Sequence, residues 1–377
     1  MRIACIATSK VPSRTANSIQ VMKVCQAFVD LGHEVRLWVP GPSPVIADKE
    51  LMEWYGLHRE ILITWIPSLR ALRRYDFAWK AATQAKAWEA DLIYCWPLQA
   101  AVLSARRGVP TALEVHDRPQ GRFGPYLMGK FLDGKGKKRI LPITKAMRDW
   151  LAETYAITLE APFCVIAPMG VDLEQFEGLP DPPTAREHLD LEARLTVGYA
   201  GHLYEGRGLD LMVALAKRNS EIQFLWIGGE PESVQRWKHN LNDQKIENIR
   251  LVGFIPNEQL PLYQAACEIL LMPYERHIAA SSGGDTVKFA SPMKAFEYMA
   301  SGRAILASDL PVLREVLDEE MVVLLAPDDV DGWDQALKML IQDPDRRASL
   351  GEIARARAGQ YSWKVRAERT LVGLGDD

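Results

Sequence analysis

The chain has 377 residues and a mass of 42.4 kDa, and it is 48% hydrophobic and 25% charged. That is a globular composition, which excludes a disordered or collagen-like chain and suits two or three domains. A net charge of −4 and a pI of about 6.1 exclude a protein that coats nucleic acid through its overall charge. The charge is uneven. Residues 61–148 carry 16 Lys/Arg against 6 Asp/Glu, a net of +10, and the rest carries 29 against 43, a net of −14. The five cysteines, Cys5, Cys25, Cys95, Cys164 and Cys267, form no CxxC pair. Their count and spacing fit buried free thiols in a reducing cytoplasm better than a disulfide or zinc framework. The opening Met1-Arg-Ile-Ala-Cys-Ile-Ala-Thr-Ser-Lys10 turns polar too soon for a secretion signal. No apolar run reaches the roughly 18–20 residues needed to cross a bilayer.

In chain order, residues 2–8, 35–39, 61–66, 92–95, 111–114 and 140–144 read as short, nearly all-apolar strands, the pattern of a parallel sheet buried on both faces. A helix is predicted over 18–31, ended by Gly32. A basic, aromatic-bearing helical stretch covers 68–88 and includes Arg70, Arg73 and Arg74; a basic loop follows at 134–139. Both suit an anionic membrane surface or a phosphorylated acceptor, and a solvated helix with its aromatic side packed inward is the alternative. A second strand series falls at 196–200, 223–227, 249–252, 269–272, 304–307 and 322–325. Two such series predict two doubly wound Rossmann-like α/β domains, with the ligand cleft at the carboxyl ends of the strands. The Pro/Asp/Glu-rich stretch 171–189 marks the seam. The expected domains are 1–180, 181–358, and a segment 359–377 returning to the first.

Three segments carry chemistry. In Glu114-Val-His-Asp-Arg118, His116 falls at the carboxyl end of a buried strand, where a ligand-facing and a structural histidine are both open readings. In Val197-Gly-Tyr-Ala-Gly-His-Leu-Tyr-Glu-Gly-Arg-Gly-Leu-Asp210 a strand runs into a glycine-punctuated loop. Gly201 lets backbone approach a ligand, and His202 and Arg207 could neutralise a diphosphate; a solvated loop arginine is the alternative. In Ser291-Pro-Met-Lys-Ala-Phe-Glu-Tyr-Met-Ala-Ser-Gly302, Ser291 is the predicted N-cap and Pro292 the first helical residue. The loop before it contains Gly284 and Asp285, and a small polar loop feeding a helix N-terminus suits an anion. Glu297 could hold two ribose hydroxyls, or pair with Lys294 as an i,i+3 surface pair. The first strand leads into Ser9-Lys-Val-Pro-Ser-Arg14 rather than G-x-G-x-x-G, which argues against a dinucleotide dehydrogenase.

Together these segments resemble the family 4 retaining glycosyltransferases of the two-Rossmann-domain GT-B fold (glycosyl transferases group 1). The match also takes in Leu31-Gly-His-Glu-Val35, Leu251-Val-Gly-Phe-Ile-Pro256 and Ala307-Ser-Asp-Leu-Pro-Val-Leu-Arg-Glu-Val316. The resemblance implies transfer of a sugar from a UDP- or GDP-linked donor to a hydroxyl acceptor such as a glycan or glycolipid precursor. It implies that Glu297 is the second glutamate of an E-x7-E motif and holds the nucleotide ribose. Arg207 would neutralise the donor diphosphate, His116 would touch donor sugar and phosphate, and Phe254 would border the nucleobase. Gly201, His202, Gly284, Asp285, Ser291 and Lys294 complete the expected donor side, and Asn17, Arg70, Arg73 and Arg74 the acceptor side. Helix 346–358 opens on Asp343-Pro-Asp345, which reads as capping rather than as a metal motif, so no metal or other cofactor is expected.

The sequence departs from the family pattern in three places. Phe289 stands where the first E-x7-E glutamate would fall, His202 where many relatives carry arginine, and Ala16-Asn17 where the first loop commonly has Gly-Gly. A donor hydrolase or epimerase on the same fold, and a silent nucleotide-sugar binding module, are the alternative functions. The expected setting is cytoplasmic, with the basic block against the inner face of the membrane, and without a nucleic-acid partner.

Overall fold

The structure, a computed structural model, describes residues 1–72, 74–277 and 287–374. It divides into two compact units, Met1–Met169 with Trp363–Asp377, and Gly170–Ser362. The expected boundaries at 180/181 and 358/359 thus stand 11 and 4 residues from the divisions at 169/170 and 362/363.

The first unit alternates β1 (Arg2–Ile6), α1 (Ala16–Asp30), β2 (Glu34–Pro40), α2 (Asp48–Tyr55), β3 (Leu62–Ile66), α3 (Tyr75–Ala87), β4 (Leu92–Cys95), α4 (Leu98–Arg106), β5 (Thr111–Val115), α5 (Gly124–Asp133), β6 (Lys138–Pro142) and α6 (Lys145–Tyr155). The second holds α7 (Pro182–His188), β7 (Thr196–Ala200), α8 (Leu209–Arg218), β8 (Gln223–Ile227), α9 (Pro231–Asp243), β9 (Ile249–Gly253), α10 (Leu260–Ala265), β10 (Ile269–Met272), α11 (Met293–Ser301), β11 (Ala304–Ser308), β12 (Val323–Leu325), α12 (Val330–Gln342) and α13 (Pro344–Ala358). A last helix, α14 (Trp363–Leu371), belongs to the first unit.

Each sheet is six-stranded and parallel, in the orders β3-β2-β1-β4-β5-β6 and β12-β11-β10-β7-β8-β9. This is one doubly wound topology used twice, and it bears out the predicted fold class. The winding reverses between β1 and β4 and between β7 and β10, and those switch points are where open α/β sheets bind ligands. Strands β4, β5, β7, β8 and β11 are buried along their whole length because helices cover both faces. The second core is built around Phe224, Trp226, Leu271, Leu306 and Trp333, all at or near zero exposure.

Local signals place several helix ends. Thr15 caps α1 through Ser18 N–H, Thr144 caps α6 through Met147 N–H, and Asp343 caps α13 through Arg346 N–H. The capping reading of Asp343 is therefore what the fold shows. The start of α11 corrects the expectation: Pro292, with φ −74° and ψ 127°, is the cap residue, and no side chain bonds there. The ring of Pro292 supplies the extended turn into the helix, so Ser291 lies one residue outside it. Gly302 closes the helix in the left-handed region at φ 66°, as predicted.

All five cysteines are free and buried. No helix among the described residues is long and apolar enough to cross a membrane.

Candidate functional site

In the second unit the site gathers at the carboxyl ends of β7 and β10. Tyr199, the last residue but one of β7, is buried, and its hydroxyl donates to the His202 carbonyl at 2.8 Å. The chain then turns through Gly201, Gly206 and Gly208, all at positive φ. Gly208 has a steric reason to lack a side chain: at φ +70° its Cβ would sit 1.9 Å from the Pro273 carbonyl oxygen. The close approach seats the start of α8 against the end of β10. Glu275 locks it, accepting Gly208 N–H at 3.2 Å and donating its own N–H to Gly206 O at 3.1 Å.

Arg207 projects between two tyrosines, with its guanidinium carbon 5.0 Å from the Tyr204 ring and 5.1 Å from the Tyr274 ring. Its Nη2 donates to the Tyr204 hydroxyl at 3.3 Å, and its Nε is buried with no hydrogen-bond partner among the described residues. Burial opposes its charge, but the phenol oxygens of Tyr274, Tyr199 and Tyr204 outweigh that and hold its pKa above the ordinary value. His202 stacks on Tyr204 with centroids 5.1 Å apart. Burial, then Arg207, lower its pKa, so the imidazole is biased to the neutral form.

Lys294, second residue of α11, lies over the same aromatic floor, with Nζ 3.9 Å from the Tyr199 centroid and 5.1 Å from that of Tyr274. The surface-pair alternative for Lys294 and Glu297 is thereby corrected: Lys294 is buried, at 8% exposure. Glu297 is half-buried one turn further along and acts electrostatically on Lys294 and Tyr274. Tyr298 fixes the helix to β7 by accepting Ala200 N–H at 2.8 Å. Phe254, just past β9, and Ser291 are half-buried, and Phe289 is buried. Gly284, Asp285 and Arg73 lie outside the described residues, as does the side chain of Arg70.

The first unit holds a different arrangement. His116, one residue past β5, places Nε2 2.5 Å from Glu114 Oε1. Glu114 is buried inside the strand, and Gln20 Nε2 donates to its Oε1 at 2.7 Å. Its Oε2 accepts the Tyr94 hydroxyl and pairs with Arg366 Nη2 at 2.9 Å. Arg366, from α14, also donates to the Tyr94 hydroxyl at 3.1 Å and to the carbonyls of Pro168 and Ala167 at 2.7 and 3.1 Å. Burial alone would raise the Glu114 pKa; Arg366 and the His116 hydrogen bond outweigh it and hold it at about 2. The ionised carboxylate thus orients the imidazole from below. Neither Glu114 nor Arg366 was singled out from the sequence. The available signal was an acidic residue inside an otherwise apolar strand, which demands a partner.

The acceptor-side candidates fold back on the loop after β1. Asn17 is exposed and bonds Ser9, and Arg74 reaches the Thr8 carbonyl. The basic block proves mixed. Lys138 is spent on the carbonyls of Phe131, Leu132 and Gly134, and buried Arg139 on those of Pro162, Thr370 and Val372. In α3, Phe77, Ala78, Ala81, Ala82 and Ala85 face inward while Tyr75 and Trp79 remain exposed, so its aromatic side is not wholly packed.

The sequence model described as "Glycosyltransferase Family 4" matches residues 18–175, and that described as "Glycosyl transferases group 1" matches residues 194–343. Between them they take in most of the chain, which belongs to this glycosyltransferase family. Among curated relatives, a D-inositol 3-phosphate glycosyltransferase of Kineococcus radiotolerans is 26% identical over 76% of this chain and 66% of its own length. The chain thus spans just under two thirds of that relative. A 2-deoxystreptamine glucosyltransferase of Streptomyces kanamyceticus is 24% identical over 91% of this chain and 92% of its own. Among solved structures, Anabaena HepE in complex with UDP superposes with a TM-score of 0.76 at 16% identity over 99% of both chains. Sucrose-phosphate synthase of Thermosynechococcus elongatus gives 0.72 at 18% identity, over 98% of this chain and 96% of the other. These two share the GT-B fold with this chain.

Proposed function

We propose that the chain moves a sugar, with retention of anomeric configuration, from a UDP- or GDP-linked donor to a hydroxyl acceptor such as a glycan or glycolipid precursor. The observation that carries this reading is the cationic, tyrosine-floored site of the second unit. Arg207 stands at a sheet switch point with guanidinium hydrogens unspent, on a loop whose glycines bring backbone close. Glycosyl transfer builds negative charge on the departing diphosphate, and preorganised cations placed there lower the barrier. Glu297 holds the ribose hydroxyls, and Phe254 borders the base. His116, oriented by Glu114, contacts the donor sugar. Relatives leave both donor classes open: HepE is described in complex with UDP-glucose, and a Mycolicibacterium smegmatis relative is named GDP-mannose-dependent. No divalent metal is needed, because side chains meet the diphosphate charge and Asp343 is occupied as a helix cap.

The reading extends to where the enzyme works. The exposed Leu69, Leu72, Tyr75 and Trp79, set among basic residues, suit the headgroup region of an anionic membrane on the cytoplasmic side.

The test is a panel of UDP- and GDP-sugars scored by thermal shift and then by donor turnover, since a ligand that binds only the folded state raises its melting temperature. Glu297→Ala and Arg207→Ala should each cut transfer at least about tenfold, ~1.4 kcal/mol in the barrier. Near-normal transfer in both variants refutes the assignment. Donor cleavage at full rate without any acceptor favours the hydrolase, and binding without turnover favours the silent module.

A further inference from the structure

Lys294 is placed in a way that packing does not account for. Its amine is buried, has no hydrogen-bond partner among the described residues, and rests only on the faces of Tyr199 and Tyr274. A buried ammonium without acceptors is costly, and cation–π contact returns only part of that cost. The backbone has nevertheless been cleared for it. A Cβ on Gly201, at φ +149°, would lie 2.8 Å from Lys294 Nζ and 3.3 Å from Cε. Any larger residue at 201 would meet the amine. Arg207 approaches the same Tyr274 ring at the same 5.1 Å and likewise holds a buried, unpartnered donor, its Nε. Two cations with unspent donors therefore share one aromatic floor, beside a histidine that burial and Arg207 bias to the neutral form.

We propose that Lys294 is the second cation of the diphosphate site, contacting the donor diphosphate beside Arg207 and taking the part that His202 cannot fill. This rests on the nucleotide-sugar reading above and adds to it the group that Lys294 meets, the diphosphate, and a proton. Among the described residues, the groups facing the amine are Tyr199 from β7, His202 and Arg207 from the following loop, Tyr274 from the end of β10, and Glu297 from its own helix. Burial, then Arg207, hold its pKa well below the usual lysine range, and Glu297 pulls the other way. An arriving diphosphate favours the charged amine and raises that pKa. Binding therefore takes up a proton from solvent, and the amine acquires full charge only when an anion is there to meet it. His202 is excluded as the source by working at pH 8.5, above any ordinary imidazole titration.

The experiment is titration calorimetry of the full chain with UDP, GDP and ADP, against uridine, guanosine and adenosine. It is run at pH 8.5 in two buffers of different ionisation enthalpy. The expected result is net proton uptake with at least one diphosphate and none with the nucleosides. In Lys294→Met the uptake is lost and affinity for that diphosphate falls at least about tenfold, while His202→Asn keeps the uptake. Empty Lys294→Met should melt no lower than wild type, because it removes an unpaired buried amine; should it fail to fold, wild-type uptake alone decides. Tight diphosphate binding without uptake, or unchanged in Lys294→Met, overturns the role of Lys294 and leaves the donor reading standing. Failure of all three diphosphates to bind wild type overturns the donor reading itself, and this proposal with it.

Discussion

Replacing Arg366 with methionine removes the guanidinium from the Glu114 carboxylate while keeping an apolar side chain of comparable reach. Both partners are almost fully buried, at 5% and 2% exposure, so solvent cannot replace what is lost. The change strands the carboxylate and frees the carbonyls of Pro168 and Ala167. Breaking a buried pair by removing one partner typically costs ~3–5 kcal/mol. The titration of Glu114 gives an independent figure. A carboxyl whose pKa falls from 4.5 to about 2 in the fold contributes about 3 kcal/mol at neutral pH. Its folded pKa is depressed, so that contribution is fully present above pH 4.5 and is lost as pH falls through about 2. In the variant, burial acts on Glu114 without Arg366, the carboxyl pKa rises, and the deficit is greatest at neutral pH. Urea unfolding followed by circular dichroism at pH 7 and pH 3 should show a loss of about 3 kcal/mol or more at pH 7 that shrinks at pH 3, inside the window between the two pKa values. A loss under about 1 kcal/mol, or one equal at both pH values, would refute the assignment of Glu114 as an ion held by Arg366.

Gly208→Ala forces a left-handed residue to carry a Cβ against the Pro273 carbonyl, and it should lower stability by more than about 2 kcal/mol in thermal unfolding. Donor binding should weaken with it, because Arg207 rides on the same turn. Asp343→Ala removes the cap of α13 and should cost ~1 kcal/mol in the same assay. Its donor turnover should match wild type with or without a chelator. Liposome flotation should rise with anionic lipid and fall with salt, and Trp79→Ser should weaken it. Binding that ignores both lipid charge and salt would remove the membrane surface and leave the enzyme reading untouched.

The fold was legible because strands buried on both faces spell themselves as short apolar runs. Residues 92–95, 196–200, 223–227 and 269–272 coincide with β4, β7, β8 and β10. Chain ends of elements were less so. A proline after a serine reads as first turn, yet at α11 the proline itself is the cap. The site was legible where it depends on local order, as with Arg207 and His202 on one glycine-rich turn. What could not be read is what distance in the chain hides. Nothing near Glu114 announces its partner on α14, and the tyrosine floor under Arg207 and Lys294 is assembled from β7, its loop and the end of β10. The basic block shows the same limit. Lys138 and Arg139 look like surface charge in a list of residues, but both are consumed by backbone carbonyls within the first unit.

The return of α14 to the first unit also sets an order of events during synthesis. The second unit is one continuous stretch, Gly170–Ser362, and every residue it needs is made before α14. The first unit is interrupted: Tyr94 waits for Arg366 across 272 residues, and Arg139 waits for the carbonyls of Thr370 and Val372. A growing chain therefore carries a first unit whose buried carboxylate lacks its arginine, and whose Arg139 lacks two of its three acceptors, while its second unit forms. The half that emerges first from the ribosome is the half that is completed last.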